Sequence, residues 1–280
     1  MKHLSSAMNK LLLLVASAAG CSSFLVARAS APNHRPNQTN SVAAASCIPS
    51  ERDALLAFKR AITDDPAGRL ASWREQDHDC CRWGGVRCSN VTGHVVGLYL
   101  GAPTAPCDWG HSDDDILDDD PIIQCSGGAF AFLEGQIPAP LFSLRHLEHL
   151  DLSWNALDGI MVPPQLGNLS NLQYLNLSNT GLHSSDISWI AHLPRLRYLD
   201  LGSLNLSTAY HWAHAVNMLP SLRVLGLSRC QLASTNQPLP HLNLTKLERL
   251  DLSVNLFNHT VASCWFWGLT TSLRYLMLYL

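Results

Sequence analysis

The 280-residue sequence predicts an α/β solenoid, a curved stack of short coils with a parallel β-sheet on its concave face and a disulfide-stapled cap at its N-terminal end. Two observations carry that expectation: a leucine phrase that returns at a near-fixed interval, and a cysteine-rich stretch ahead of it. The phrase reads Leu147, Leu150, Leu152, Asn155, Leu157, and restarts at Leu172, Leu196, Leu222, Leu247 and Leu273, intervals of 25, 24, 26, 25 and 26 residues. A leucine-rich helix would instead repeat every three or four residues over a few turns.

The interval and the pattern L-x-x-L-x-L-x-x-N/C-x-L are those of a leucine-rich-repeat horseshoe. Within a unit, Leu150 and Leu152 point to one side of a short strand while Asp151 and Ser153 point to the other. One coil cannot cover its own leucines, so neighbours stack and the core becomes continuous. Each buried leucine contributes about 1.5–3 kcal/mol, enough for several per coil to offset much of the ordering entropy. Polar backbone groups in the turn after each strand need partners, a task that falls to Asn155 and Asn255, with Thr180 and Cys230 as weaker substitutes. Leu204 occupies the same place in the third copy and cannot perform it, so a local departure of the ladder, or a water, is expected there.

From the N-terminus, residues 1–29 read as a secretory signal peptide: Lys2 and Lys10, an apolar run over 11–19, and the small-residue site Ala27-Arg28-Ala29. Residues 30–46 form a polar linker. The cap is expected over 47–94 and the repeats over 95–280, with an acidic insertion at about 101–132 and a truncation inside the last copy. Leu273, Leu276 and Leu278 should then face solvent and bind a hydrophobic dye. In the cap, Ser50 is placed to cap a helix starting at Glu51, with Asp53 reaching back as in a capping box. Leu55, Phe58 and Ile62 share one face of it, and Asp64, Asp65, Pro66 and Gly68 end it. The first half-repeat follows at Val95, Leu98 and Leu100.

The run Glu51-Arg52-Asp53-Ala54-Leu55-Leu56-Ala57-Phe58-Lys59, then Asp64-Asp65-Pro66-Ala67-Gly68-Arg69-Leu70-Ala71-Ser72-Trp73 and Cys80-Cys81-Arg82-Trp83-Gly84-Gly85-Val86-Arg87-Cys88, closely resembles the plant leucine-rich-repeat N-terminal cap. Leu133, Gly135, Ile137, Pro138, Leu141 and Leu144 resemble the plant-specific L-x-G-x-I-P segment. The chain is thereby similar to plant leucine-rich-repeat receptor-like proteins, cell-surface immune receptors without a kinase. That resemblance implies bridges Cys47–Cys80 and Cys81–Cys88, which suit an oxidising compartment. It also implies an extracellular protein, peptide or glycan ligand, signalling through a co-receptor kinase, and membrane attachment by a segment absent from this chain. A soluble polygalacturonase-inhibitor-like cell-wall protein and the ectodomain of a receptor kinase are the alternatives.

Other residues are read individually. Cys107 and Cys125 bracket the insertion and suggest a third disulfide; Cys230 reads as a buried, inert thiol; Cys264 has no evident mate; Cys21 should leave with the signal peptide. The aspartates of the insertion, Asp108, Asp113, Asp114, Asp115, Asp118, Asp119 and Asp120, lack the Gly and terminal Glu of an EF-hand loop and read as a solvated acidic loop rather than a metal site. His211 and His214 have no supporting ligands. No G-x-S-x-G, Walker loop or H-E-x-x-H occurs, so neither an enzyme nor a cofactor is expected. A net charge of −3 selects no partner class, and nothing points to nucleic acid.

Seven N-x-S/T sequons, at Asn37, Asn90, Asn168, Asn176, Asn205, Asn243 and Asn258, fit passage through the secretory pathway. Asn176 lies between Leu175 and Leu177, so a glycan there would block part of the concave surface. The recognition surface is expected on the outward strand positions: His149, Asp151, Ser153 and Trp154; Tyr174, Asn176 and Ser178; Tyr198 and Asp200; Val224 and Ser228; Arg249 and Asp251; Tyr275, Met277 and Tyr279.

Overall fold

The computed structural model describes residues 46–102, 132–157, 161–233, 239, 241–257, 268–269 and 272–278. The signal peptide, almost all of the linker, the body of the acidic insertion with Cys107 and Cys125, and Cys264, Asn37, Asn258 and Tyr279 lie outside these residues.

Helix α1 (Pro49–Ala61) opens the cap. It starts two residues before Glu51, with Pro49 at its first position and no side-chain cap; Ser50 does not perform that role. A proline there has a helical φ already set and no N–H to satisfy, so the capping box is dispensable. Asp53 is exposed and pairs with Arg52, while Glu51 turns inward, 5% exposed, and accepts hydrogen bonds from the Val95 N–H and the His94 ring. Leu55 and Phe58 are fully buried. The helix ends at Ala61, and β1 (Ile62–Asp64) pairs antiparallel with β4 (Glu134–Gly135). Gly135 has φ +147°, and a Cβ there would meet the Ala61 carbonyl oxygen at 2.3 Å, which accounts for the glycine of L-x-G-x-I-P.

The bridges Cys47–Cys80 and Cys81–Cys88 are present, each with Cα atoms 5.4 Å apart. Beneath them Phe58, Trp73 and Trp83 pack together, the two indoles stacked at 5.5 Å, and the Trp73 Nε1–H donates to the Gly84 carbonyl. The cap continues into the sheet. Strand β2 (Val86–Cys88) pairs antiparallel with β3 (Val95–Tyr99), which pairs parallel with β5 (His149–Asp151). Then follow β6 (Tyr174–Asn176), β7 (Tyr198–Asp200), β8 (Val224–Gly226), β9 (Arg249–Asp251) and β10 (Tyr275–Met277), all parallel and in register. The central leucines align as one row, Leu98, Leu150, Leu175, Leu199, Leu225, Leu250 and Leu276. All but Leu276 are fully buried; Leu273, Leu276 and Leu278 are half-buried and pack against the core rather than facing solvent freely. Opposite the sheet, 3₁₀ turns at Ala139–Ser143, Pro164–Asn168 and Ser188–His192 and the short helix α2 (Trp212–Asn217) close the coils.

Each turn after a strand bends the same way. Trp154, Asn179, Ser203, Arg229 and Val254, at equivalent places in five coils, all have φ between 54° and 65°. The following residue serves the turn. The Asn155 Nδ2 donates to the carbonyls of Leu100 in the preceding coil and Leu152 in its own, and its Oδ1 accepts from the Leu133 N–H. Asn255 repeats this with Leu227, Leu252 and the Leu232 N–H. Thr180 supplies one bond, to the Leu177 carbonyl. At Leu204 the turn departs locally, its backbone closing on itself where the other coils use a side chain. The Leu201 carbonyl is served by the Leu204 N–H and by the Cys230 thiol of the next coil, while Leu204 adds apolar packing.

Candidate functional site

The outward side chains of the sheet form columns at right angles to the strands. In the first column, set by the register Gly97, His149, Tyr174, Tyr198, Val224, Arg249 and Tyr275, the rings stack face to face. His149 lies 4.0 Å from Tyr174, and Tyr174 lies 4.2 Å from Tyr198, with planes within 10°. The stack gains a fourth ring from outside its own register. Tyr99 belongs to the next column, opposite Asp151, but folds back over Gly97 and stacks on His149 at 4.1 Å. A Cβ at Gly97 would lie 2.6 Å from that ring, so only glycine permits the fold-back. The Arg87 guanidinium covers the outer face of Tyr99 at 5.4 Å, and further along Arg249 covers Tyr275 at 5.0 Å. Tyr99, Gly97 and Arg87 were not foreseen; aligning Gly97-Leu98-Tyr99 with His149-Leu150-Asp151 exposes the signal, a glycine where neighbouring coils carry rings.

The second column runs Asp151, Asn176, Asp200, Gly226, Asp251. These side chains fold over the turn behind them. The Oδ1 atoms of Asp151, Asn176 and Asp251 each accept from the N–H and hydroxyl of the serine two residues on, and that of Asp200 from the Gly202 N–H. Ser153 and Ser178, expected on the outer surface, are therefore buried: their hydroxyls are turned onto these acceptors. Asn176 is half-buried in the centre of the concave face rather than standing free of it. Trp154 is 40% exposed at the edge of the same surface.

Burial sets the charge state of the face. It lowers the His149 pKa, against the pull of Asp151, and raises those of Tyr174 and Tyr198, Asp200 reinforcing the latter. It also raises the Asp200 pKa over the opposing hydrogen bond from Gly202. The result is a neutral rail of ring edges and hydroxyls beside a row of acceptors, suited to hydrogen-bonding and apolar contact with a large ligand. Among the described residues the one group with metal-ligand spacing is Cys47, Cys80 and Cys81, whose sulfurs are taken up in the bridges.

Similarity to known proteins agrees with this geometry. Residues 48–89 match the Leucine rich repeat N-terminal domain, and residues 146–169 and 171–193 match the Leucine Rich Repeat. Receptor-like protein EIX1 of Solanum lycopersicum is 33% identical over 81% of this chain, and Receptor-like protein EIX2 of the same species 34% identical over 81%. The chain belongs to the plant leucine-rich-repeat receptor-like proteins. This receptor-like chain spans 23% of the length of each of those two relatives. In fold it is similar to the ectodomain of the Arabidopsis receptor kinase HAESA, crystallised with an IDA peptide hormone, with TM-score 0.58, 24% identity, and coverage of 81% of this chain and 32% of that one. It is also similar to the GASSHO1/SCHENGEN3 ectodomain of Arabidopsis thaliana, with TM-score 0.57, 21% identity, and coverage of 82% and 24%. Among the described residues no helix is long and apolar enough to cross a membrane.

Proposed function

We propose that this chain is the N-terminal ectodomain portion of a cell-surface receptor that binds an extracellular protein, peptide or glycan on its concave face and signals through a co-receptor kinase in plant defence. The observation that carries the reading is the unbroken stack Tyr99, His149, Tyr174, Tyr198, which presents ring edges on the outward face of a rigid sheet. The peptide hormone on the HAESA ectodomain and the receptor-like character of the relatives support it. In this reading residues 1–29 direct secretion, Cys107 and Cys125 close the insertion, and the membrane segment lies in sequence beyond this chain.

The test uses the full-length receptor displayed on leaf cells and fractionated apoplastic extract as ligand source. Replacing Tyr174 and Tyr198 together by Ala should abolish both ligand retention and the oxidative burst while leaving surface level unchanged. Equal retention by the variant, or failure of the receptor to reach the surface, would refute the reading.

A further inference from the structure

Away from the sheet, a cavity of about 420 Å³ opens beside α2, lined by Asp186, Ser188, His211, His214, Met218 and Asn243 among others. We propose that this cavity is the seat of the chitobiose core of an N-linked glycan carried by Asn243. Three observations point there. Asn243 is exposed on the cavity rim and heads the sequon Asn243-Leu244-Thr245. Its backbone is held in place: the buried Asn217 accepts from the Asn243 N–H at 2.9 Å and donates to the His241 carbonyl at 2.7 Å, so the attachment point is fixed relative to α2. The lining suits N-acetylglucosamine, with imidazoles and a serine hydroxyl for its hydroxyl and acetamide groups, and Met218, Leu239 and Ala215 for its apolar faces. A disaccharide is within the ligand size that such volumes take. The occupant is supplied by the chain itself, and Asn90, Asn168 and Asn205, also exposed, do not line this cavity.

The proposal rests on the secretory reading above, and the experiment separates the two. The full-length protein is produced in plant cells, its glycopeptides are mapped, and its histidines are labelled with diethyl pyrocarbonate. Glycan should be found at Asn243, with His211, His214 and His241 protected while the exposed His78 reacts freely. Thr245→Ala and Asn243→Gln, each removing the sequon at an exposed position, should raise labelling of the three cavity histidines several-fold, leave His78 unchanged, and lower Tm by about 2–4 °C. An unmodified Asn243 alongside glycan at Asn90, Asn168 and Asn205 would overturn this proposal alone. Unchanged cavity labelling in both variants would overturn it as well. No glycan at any sequon would instead remove the secretory reading beneath it.

Discussion

At the scale of single residues, the repeat depends on one backbone conformation that few side chains favour. An L-residue in the left-handed region costs about 1–2 kcal/mol, and a β-branched one is the least suited to it. Val254, at φ 54° and 50% exposed, loses little packing if changed. Val254→Asn is expected to raise Tm by about 2–4 °C in a thermal scan. The next residue along has the opposite character, because its bonds are internal. Asn155→Ala would strand the Leu152 carbonyl and the Leu133 N–H and leave the Leu100 carbonyl to Arg69 alone, a loss of about 3 kcal/mol in urea unfolding, whereas Thr180→Val should cost about 1 kcal/mol. Equal losses would mean that the asparagine's second and third bonds contribute nothing. The sequence made Asn155 and Asn255 legible through spacing alone. It could not show that Cys230 reaches back to the coil of Leu204, because that contact joins residues 29 positions apart.

Among the elements, the outward columns of the sheet hold the titratable groups that matter. Asp200 has its pKa raised by burial, so its protonated form favours the folded state. Its contribution is full below the ordinary aspartate pKa and is lost as pH rises through the raised value. Asn176 shows in the neighbouring coil that an amide makes the same turn contact. Asp200→Asn should therefore match the wild type near pH 4 and become the more stable of the two by about pH 7. His149 runs the other way: its pKa is lowered, so its contribution is lost as pH falls, and it is common to both proteins. A stability difference that does not change with pH would contradict the buried-carboxylate account. Strand positions and outward residues were readable from the alternation Leu-x-Leu. The fold-back of Tyr99 was not, since it depends on a missing side chain in one strand and a ring in the same strand meeting across a neighbour.

Across the whole molecule, the buried side chains of the cap and of the coils belong to one continuous hydrophobic core. Strand β2, which ends at Cys88 of the second bridge, is hydrogen-bonded into the same sheet, and Arg69 reaches from the cap loop to the Asn155 side chain at 3.0 Å and to the Gly101 carbonyl. The bridges are consequently levers on the entire stack. In the chain-entropy account, the 33-residue loop of Cys47–Cys80 is worth about 4 kcal/mol and the 7-residue loop of Cys81–Cys88 about 2 kcal/mol. Paired Cys→Ser changes should lower the urea midpoint in that order, with a single transition in each case; a separate cap transition would show the two parts to be independent. The architecture as a whole was legible because leucine spacing reports a global repeat. The starting residue of α1 was not, because Pro49 made the expected Ser50 cap unnecessary.

The in-register ring stack has an evolutionary corollary. Among the described residues the coils exchange hydrogen bonds with immediate neighbours, so unequal recombination that gains or drops one whole coil leaves the flanking coils intact. Such an event would move Arg249 and Tyr275 relative to Tyr198 by one strand width, about 4.8 Å, without altering any side chain. Related genes could thus acquire new binding preferences by changing the spacing of an unchanged alphabet.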